Sequence, residues 1–254
     1  LSLPRNNSSC TEDTTMTIWA VLPAAGIGRR MGSTIPKQYF TIDGVPLILH
    51  SLRRLSAVSE IQKIIVVIHP EDKRWAKLQG SVVEKFESRI ITVMGGDERY
   101  QSVLNGLTAL TELAANDDWV LVHDAVRPCV RTSDIENLIS KVSLHPVGGL
   151  LGSAVDNTLK KVGADLTVIE TVNRDSYWNA LTPQMFRFAQ LKASIQAVVA
   201  SGEHVTDEAA AMEVAGFKPI MVAGSKDNIK ITVESDLLLA SRILKNQASD
   251  NEPK

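Results

Sequence analysis

The sequence predicts an α/β domain: a three-layer sandwich with a mostly parallel sheet covered by helices on both faces. Short apolar runs rich in β-branched residues alternate with helical patterns of about 10–15 residues. This alternation is typical of βαβ units. The runs are continuously apolar, as expected of strands that are buried on both sides of a parallel sheet.

The predicted elements follow in order along the chain. Each strand is a run of mainly Val, Ile and Leu that gives way to glycine, aspartate or proline, and each helix repeats apolar residues three or four apart. The predicted strands are 19–22, 63–68, 90–93, 119–122, 149–155 and 220–222. The predicted helices are 48–55, 99–115, 133–144, 186–201, 207–215 and 235–246.

One domain is expected over residues 16–247, because no internal repeat or low-complexity linker divides the chain. Residues 1–15 are polar, begin with Leu and lack the apolar core of a secretory signal, so we expect a disordered leader. A flexible tail is expected over residues 248–254.

Composition and charge exclude several classes of protein. Lys and Arg number 27 against 29 Asp and Glu, a net charge of −2, which gives no sign of a non-specific nucleic-acid binder or a polybasic membrane-surface protein. No apolar run approaches the roughly 18–20 residues that cross a bilayer. Cys10 and Cys129 lie far apart and near no ligand-spaced His. This disfavours a disulfide framework or a zinc site and favours the cytoplasm.

Residues 154–176 interrupt the alternation of strands and helices. Their pattern predicts a β-hairpin around the turn at 163–165. Leu159, Val162, Val168 and Val172 are too few to form a core of their own. We expect the hairpin to project as an arm and pack against a second subunit. An edge hairpin of the same domain is an equally weighted alternative.

A glycine-rich loop, PAAGIGRRMG at residues 23–32, follows the first strand. Ligands of α/β sheets bind at the carboxyl ends of strands, and glycines let backbone N–H groups approach phosphates closely. Met31 excludes both a dinucleotide fingerprint and a Walker A loop, which need a small residue there. Arg30 and Lys37 would point positive charge into a phosphate-binding cleft; surface cations on a tight turn are the alternative.

This loop, with PKQY at 36–39, resembles the signature of nucleotidyltransferases, and among them the 2-C-methyl-D-erythritol 4-phosphate cytidylyltransferase family. The similarity runs from about residue 18 to 244 and includes five further motifs in the family's order. They are GGDER (95–99) with Ser102, VHDAVRP (122–128), ALTPQ (180–184), VTDEA (205–209) and DNIKIT (227–232). The resemblance implies a Rossmann-like fold, CTP and a polyol phosphate as substrates, Mg²⁺, and a homodimer whose arms complete the partner's active site.

The implied reaction is attack of the acceptor's phosphate on the α-phosphorus of CTP, which releases pyrophosphate. A phosphate monoester has a second pKa near 6 and is mostly a dianion at pH 7, so the reaction needs no general base. Positioning and charge neutralisation are what the protein must supply.

The resemblance also implies roles for particular residues. Those expected in catalysis are Arg30, Lys37, Arg174 and Lys230. Those expected to bind the nucleotide are Ala24, Ala25, Gly26, Gly28, Gly96, Asp97 and Ser102, of which the last three would read the base. Those expected to bind the acceptor are Asp124, Arg127, Thr158, Thr182 and Thr206, with Thr158 and Arg174 reaching a neighbouring subunit's site.

Several alternatives stay open at this point. Asp124, at the end of a buried strand, is interpreted as a Mg²⁺ ligand or a contact to a substrate hydroxyl, or as a structural partner of Arg127. Asp97 could be the N-cap of a helix, and His123 is expected to pack or to orient Asp124. For the whole chain, transfer to another polyol phosphate such as ribitol 5-phosphate, or non-catalytic nucleotide binding, are the competing functions.

Overall fold

A seven-stranded sheet forms the centre of this computed structural model, which describes residues 16–26, 35–82 and 87–249. The strands are β1 (Ile18–Ala24), β2 (Thr41–Ile42), β3 (Val45–Pro46), β4 (Ile61–Ile68), β5 (Ile90–Met94), β6 (Trp119–Val122), β7 (Gly148–Ala154), β8 (Leu159–Val162), β9 (Val168–Val172), β10 (Trp178–Arg187) and β11 (Ile220–Ala223). The helices are α1 (Leu47–Ser56), α2 (Lys73–Val82), α3 (Arg99–Ala109), α4 (Thr132–Val142), α5 (Phe188–Ser201), α6 (Glu208–Val214) and α7 (Ser235–Ser249).

The sheet is mostly parallel, as predicted. Its order is β11-β7-β10-β6-β1-β4-β5. β1 pairs in parallel with β4 and β6, β4 with β5, and β11 with β7. β10 is the exception, since it runs antiparallel to both β6 and β7. The carboxyl ends of β1, β5 and β6 therefore meet at one edge of the sheet.

The core lies on both faces of the sheet. Along β1, Ile18, Ala20 and Leu22 pack with α1, α2 and α4, whereas Trp19 and Val21 pack with α3, α5 and α6. Alternate side chains of a strand point to opposite faces, and all five of these side chains are buried. This is why the sequence run is continuously apolar. None of the helices in the described ranges is both long and apolar enough to cross a membrane.

The predicted strands and helices are found close to their predicted positions, with a few differences. The helix predicted over 99–115 ends at Ala109. The sequence placed a helix start at residue 186, but β10 continues to Arg187 and α5 begins at Phe188. β10 contains Pro183 and polar residues, and so lacks the apolar pattern of a buried strand. Its pairing with β7 is irregular between Ala180 and Gln184, which lets a proline occur inside the sheet. The sequence also missed α2 and the short β2–β3 pair.

β8 and β9 form a hairpin of their own, outside the main sheet. The predicted pair of strands in this segment is therefore confirmed. Several of its apolar side chains are exposed: Leu166 is 79% accessible, Ile169 60% and Val168 56%. The single chain thus leaves an apolar surface on this arm uncovered.

Candidate active site

A cleft with a volume of about 720 Å³ opens at the carboxyl ends of β1, β5 and β6. Its size is within the usual range of small-molecule sites. Its lining comes from widely separated parts of the chain: Pro23, Ala24, Ala25, Gly26, Lys37, Gln38, His69, Gly96, Asp97, Glu98, Arg99, Ser102, Asp124, Ala125, Val126, Lys230, Ile231 and Thr232.

Close packing of β1 against the loop after β5 shapes one wall. A Cβ atom at Gly95 would lie 2.4 Å from the Ala25 Cβ and 2.8 Å from the Ser102 hydroxyl, so this position requires glycine. The Gly96 N–H donates to Ser102 Oγ over 3.1 Å. Helix α3 begins directly after this turn with Glu98 at its N-cap, so the alternative of Asp97 as the N-cap is wrong. Asp97 is instead exposed at the cleft.

A short 3₁₀ turn, Lys37–Tyr39, brings a cation and an amide to the lining of the cleft. Lys37 Nζ donates to the Thr232 carbonyl over 2.7 Å, so the PKQY and DNIKIT motifs meet. Gln38 is buried and its Nε2 donates to the Ala24 carbonyl over 2.5 Å. This bond holds the turn against the end of β1.

Asp124, at the end of β6, is the electrostatic centre of the site. Its Oδ1 accepts from Arg99 Nε at 3.0 Å and Nη2 at 2.9 Å. Its Oδ2 lies 3.0 Å from Lys230 Nζ and 3.4 Å from Arg127 Nε. The predicted pairing with Arg127 is therefore present, together with two cations that the sequence did not connect to this carboxylate.

These neighbours determine the charge of Asp124. Burial alone would raise the pKa of its carboxyl, but Arg99, Lys230 and Arg127 outweigh burial and hold the pKa well below its usual range. Asp124 is therefore ionised at neutral pH and holds three cations at the edge of the cleft.

A smaller pocket of about 150 Å³ adjoins the cleft. Arg99, Asp124 and Lys230 line both pockets. The rest of its lining is Arg127, Ala180, Leu181, Thr182, Gln184, Thr206 and Asp207. The two cavities therefore share a charged boundary.

Buried hydrogen bonds fix the floor of the smaller pocket. His123 Nε2 lies 3.1 Å from the Arg127 carbonyl, which can only accept, so this nitrogen carries the proton. Burial lowers the pKa of His123 to about 4, so the ring is neutral and its Nδ1 accepts from the Thr182 hydroxyl at 2.9 Å. Thr182 Oγ1 in turn accepts from the Asp124 N–H over 3.1 Å. His123 is thus linked through the Thr182 hydroxyl to the backbone of Asp124, and its expected role in orienting Asp124 stays a prediction.

The structure groups most of the predicted site residues. In the large cleft lie Ala24, Ala25, Gly26, Lys37, Gly96, Asp97, Ser102, Asp124 and Lys230. The smaller pocket adds Arg127, Thr182 and Thr206. Thr158 and Arg174 are exposed at the base of the arm and line neither cavity of this chain. Arg30 and Gly28 lie outside the described residues.

Sequence reasoning missed three residues that shape the site. Gln38 and Arg99 stood inside motifs that we singled out but were given no role, and Glu208 likewise stood in VTDEA. Glu208 is buried and its Oε1 lies 2.6 Å from Arg99 Nη1. Burial raises the pKa of Glu208, and Arg99 opposes that rise. The signal available in the sequence was that all three residues stand inside the quoted motifs.

The side chains at this site do not form a metal site without ligands from a substrate. Mg²⁺ in nucleotide enzymes is held by one or two carboxylates together with substrate phosphates. No group of three or more His, Cys, Asp or Glu side chains that could hold a metal occurs in the described part of the chain. Both oxygens of Asp124 face cations, so a metal there would have to displace Lys230 or Arg127. Asp124 as a metal ligand stays a prediction.

Comparison with known proteins identifies the family of this chain. A family model described as 2-C-methyl-D-erythritol 4-phosphate cytidylyltransferase matches residues 18–246. The chain belongs to this family. A relative of that name from Hahella chejuensis is 43% identical over 92% of this chain and 96% of its own. Another, from Shewanella piezotolerans, is 45% identical over 90% and 96%.

Solved structures of family members share the fold. The cytidylyltransferase of Francisella tularensis matches with a TM-score of 0.75 and 35% identity, covering 89% of this chain and 99% of that one. The 4-diphosphocytidyl-2C-methyl-D-erythritol synthase of Anaerococcus prevotii matches with a TM-score of 0.78 and 30% identity, covering 91% and 97%. The α/β fold predicted from the sequence is therefore confirmed.

Proposed function

We propose that this chain transfers CMP from CTP to 2-C-methyl-D-erythritol 4-phosphate and releases pyrophosphate. The observation that carries the proposal is the pair of adjoining pockets with a shared boundary of Arg99, Asp124 and Lys230. A nucleoside triphosphate in the larger cleft and a polyol phosphate in the smaller pocket would place their phosphates on either side of that boundary. The family's name and the motif order support the same pair of substrates.

The reaction forms one bond and breaks one. A phosphate oxygen of the acceptor attacks the α-phosphorus of CTP, and the bond from that phosphorus to the bridging oxygen of pyrophosphate breaks. Lys37 on the cleft wall would stabilise charge on the α-phosphate and the leaving group, together with Arg30. Lys230 and Arg127 would hold the attacking phosphate. Its dianion needs no base.

Nucleotide selection is assigned to the wall built by β1 and the loop after β5. Ala24, Ala25 and Gly26 would present their backbone to the ribose and phosphates, with Gly28 further along the loop. Gly96, Asp97 and Ser102 would read the edges of cytosine, because hydrogen bonds to a base discriminate better than shape alone. Mg²⁺ would enter with CTP as the counter-ion of the triphosphate.

The arm is assigned to dimerisation. Its exposed apolar residues need a partner surface, and Thr158 and Arg174 lie at its base, outside both cavities of their own chain. We propose that they reach the acceptor pocket of a second copy. The acceptor's hydroxyls would then meet Thr206, Thr182 and the partner's arm.

The test is pyrophosphate release in the presence of Mg²⁺, with CTP, UTP, ATP and GTP each paired with methylerythritol 4-phosphate and ribitol 5-phosphate. Release with CTP and methylerythritol 4-phosphate alone is expected. Faster turnover of ribitol 5-phosphate would overturn the acceptor assignment. A folded protein that binds CTP but releases no pyrophosphate with any pair would be a non-catalytic nucleotide binder.

A further inference from the structure

Glu208 is a buried carboxylate that the proposed reaction does not use. It is the first residue of α6, it is 2% exposed, and it lines neither of the two cavities. Both of its oxygens bind Arg99: Oε1 lies 2.6 Å from Nη1 and Oε2 lies 3.2 Å from Nη2. A two-pronged bond of this kind fixes the plane of the guanidinium as well as its position.

The other side of the same guanidinium holds Asp124. Arg99 Nε and Nη2 lie 3.0 Å and 2.9 Å from Asp124 Oδ1. Arg99 is therefore held between two carboxylates, and one oxygen of Asp124 is fixed. Only Oδ2 faces Lys230 and Arg127.

This arrangement divides the charges of the site unequally. The two bonds from Arg99 favour the ionised form of Glu208. Arg99, Arg127 and Lys230 then carry three positive charges against two negative charges on Asp124 and Glu208. Because Arg99 faces both carboxylates, its charge is balanced locally and the excess positive charge lies at Lys230 and Arg127. The Lys230 side chain is paired with Asp124 but 43% exposed, so an incoming phosphate can reach it.

Glu208 is not required simply to begin helix α6. Asp207 caps that helix, because its Oδ1 accepts from the Ala210 N–H over 2.9 Å. Gln184 Oε1 accepts from the Ala209 N–H over 2.8 Å and ties the same turn to β10. The first turn of α6 thus has two anchors besides Glu208.

We propose that Glu208 is a positioning residue which holds Arg99 against Asp124, so that the acceptor's phosphate binds Lys230 and Arg127 and not Arg99. This inference rests on the proposed function for the identity of the phosphate. Arg99 lines both pockets. Released from Glu208, its guanidinium could turn toward the phosphate and hold it in an unproductive place.

The probe is inorganic phosphate, because its binding can be measured without turnover. In Glu208→Gln, the freed guanidinium should tighten phosphate binding by about five- to tenfold, the scale of one additional charge-assisted hydrogen bond. At the same time kcat should fall by about ten- to a hundredfold, since a misplaced acceptor loses most of the advantage of orientation. The KM for CTP should stay within about twofold. Glu213→Gln, exposed on the same helix, is the matched control and should change none of these quantities.

The double variant Arg99→Gln/Glu208→Gln tests whether Glu208 acts through Arg99. Phosphate affinity in this variant should equal that of Arg99→Gln alone, because there is no guanidinium left to release. A further increase on adding Glu208→Gln would overturn the proposal. The proposal would also be overturned if Glu208→Gln lowered the Tm but left phosphate affinity and kcat unchanged. Glu208 would then only stabilise the fold.

If Glu208→Gln cannot be purified folded, Arg99→Lys tests the same link. A lysine presents a single nitrogen and cannot reproduce the bidentate bonds by which the guanidinium of Arg99 meets both carboxylates, so kcat should fall at least about tenfold with the KM for CTP nearly unchanged. Unchanged kcat would contradict the proposal. Failure of the proposed function is a separate result: wild-type protein would then transfer CMP to no polyol phosphate, whatever the phosphate-binding data show.

Discussion

Replacing Asp124 with asparagine tests whether this carboxylate holds the site together. The substitution keeps the shape of the side chain but removes the charge shared by Arg99, Lys230 and Arg127, which lie between 2.9 and 3.4 Å away. Removing one partner of a buried ion pair typically costs about 3–5 kcal/mol. Since the side chains of Lys230 and Arg99 are 43% and 28% exposed and can regain water, we expect the lower end, about 3 kcal/mol.

The assay is urea unfolding at neutral pH, with and without inorganic phosphate. Phosphate should stabilise Asp124→Asn more than the wild type, because the anion replaces the missing charge between three cations. Asp117→Asn, at an exposed loop position, is the control and should stay within about 0.5 kcal/mol of the wild type. A loss below about 1 kcal/mol, or equal stabilisation of both proteins by phosphate, would refute the reasoning.

The difference in unfolding free energy between the wild type and Asp124→Asn should depend on pH in a definite direction. The folded pKa of Asp124 is depressed, so the stability it contributes is complete above the ordinary aspartate pKa of about 3.9 and is lost as pH falls toward the folded value. The difference in unfolding free energy between the wild type and Asp124→Asn should therefore shrink only in strong acid. A difference that already disappears at pH 5 would contradict the assigned pKa direction.

Three further predictions concern other parts of the molecule. Burial lowers the pKa of His123 from 6.5 to about 4, so the free energy of unfolding should fall by up to about 3 kcal/mol as pH drops through that window. His123→Gln should flatten this part of the urea-unfolding profile, and an unaltered slope would exclude His123 as its source. Lys37→Ala should leave CTP binding measurable but lower turnover by orders of magnitude, with the exposed Lys77→Ala as control; near-normal turnover would refute its catalytic role. If active sites are shared across a dimer, mixing equal amounts of inactive Lys37→Ala and Arg174→Ala subunits should restore roughly a quarter of wild-type activity. About half of the dimers would then be mixed, and one of the two sites in each mixed dimer would be intact. No recovery of activity would mean that both residues belong to one chain's site.

Local patterns in the sequence were sufficient for six strands of the main sheet and for the type of site. Continuous apolar runs predict strands buried on both faces, because only a sheet covered by helices can bury every side chain of such a run. The GGDER motif was expected at the site, and its first glycine is required there, because a Cβ at Gly95 would collide with Ala25. The accumulation of Arg and Lys in the motifs predicts a phosphate site, since fixed positive charge is what phosphate transfer requires.

Only the tertiary structure decided how those charges are arranged. Glu208 lies 109 residues from Arg99 along the chain, and their contact depends on how α6 packs beside α3 and α5. Thr182 was expected to bind the acceptor, and the structure adds that its hydroxyl donates to the buried His123. Strand β10, which carries Thr182, was not predicted, because its proline and polar residues differ from the apolar pattern of a buried strand. Residue types and nearest-neighbour patterns are local, whereas ion pairing and hydrogen-bond satisfaction in a buried site depend on which distant elements the core brings together.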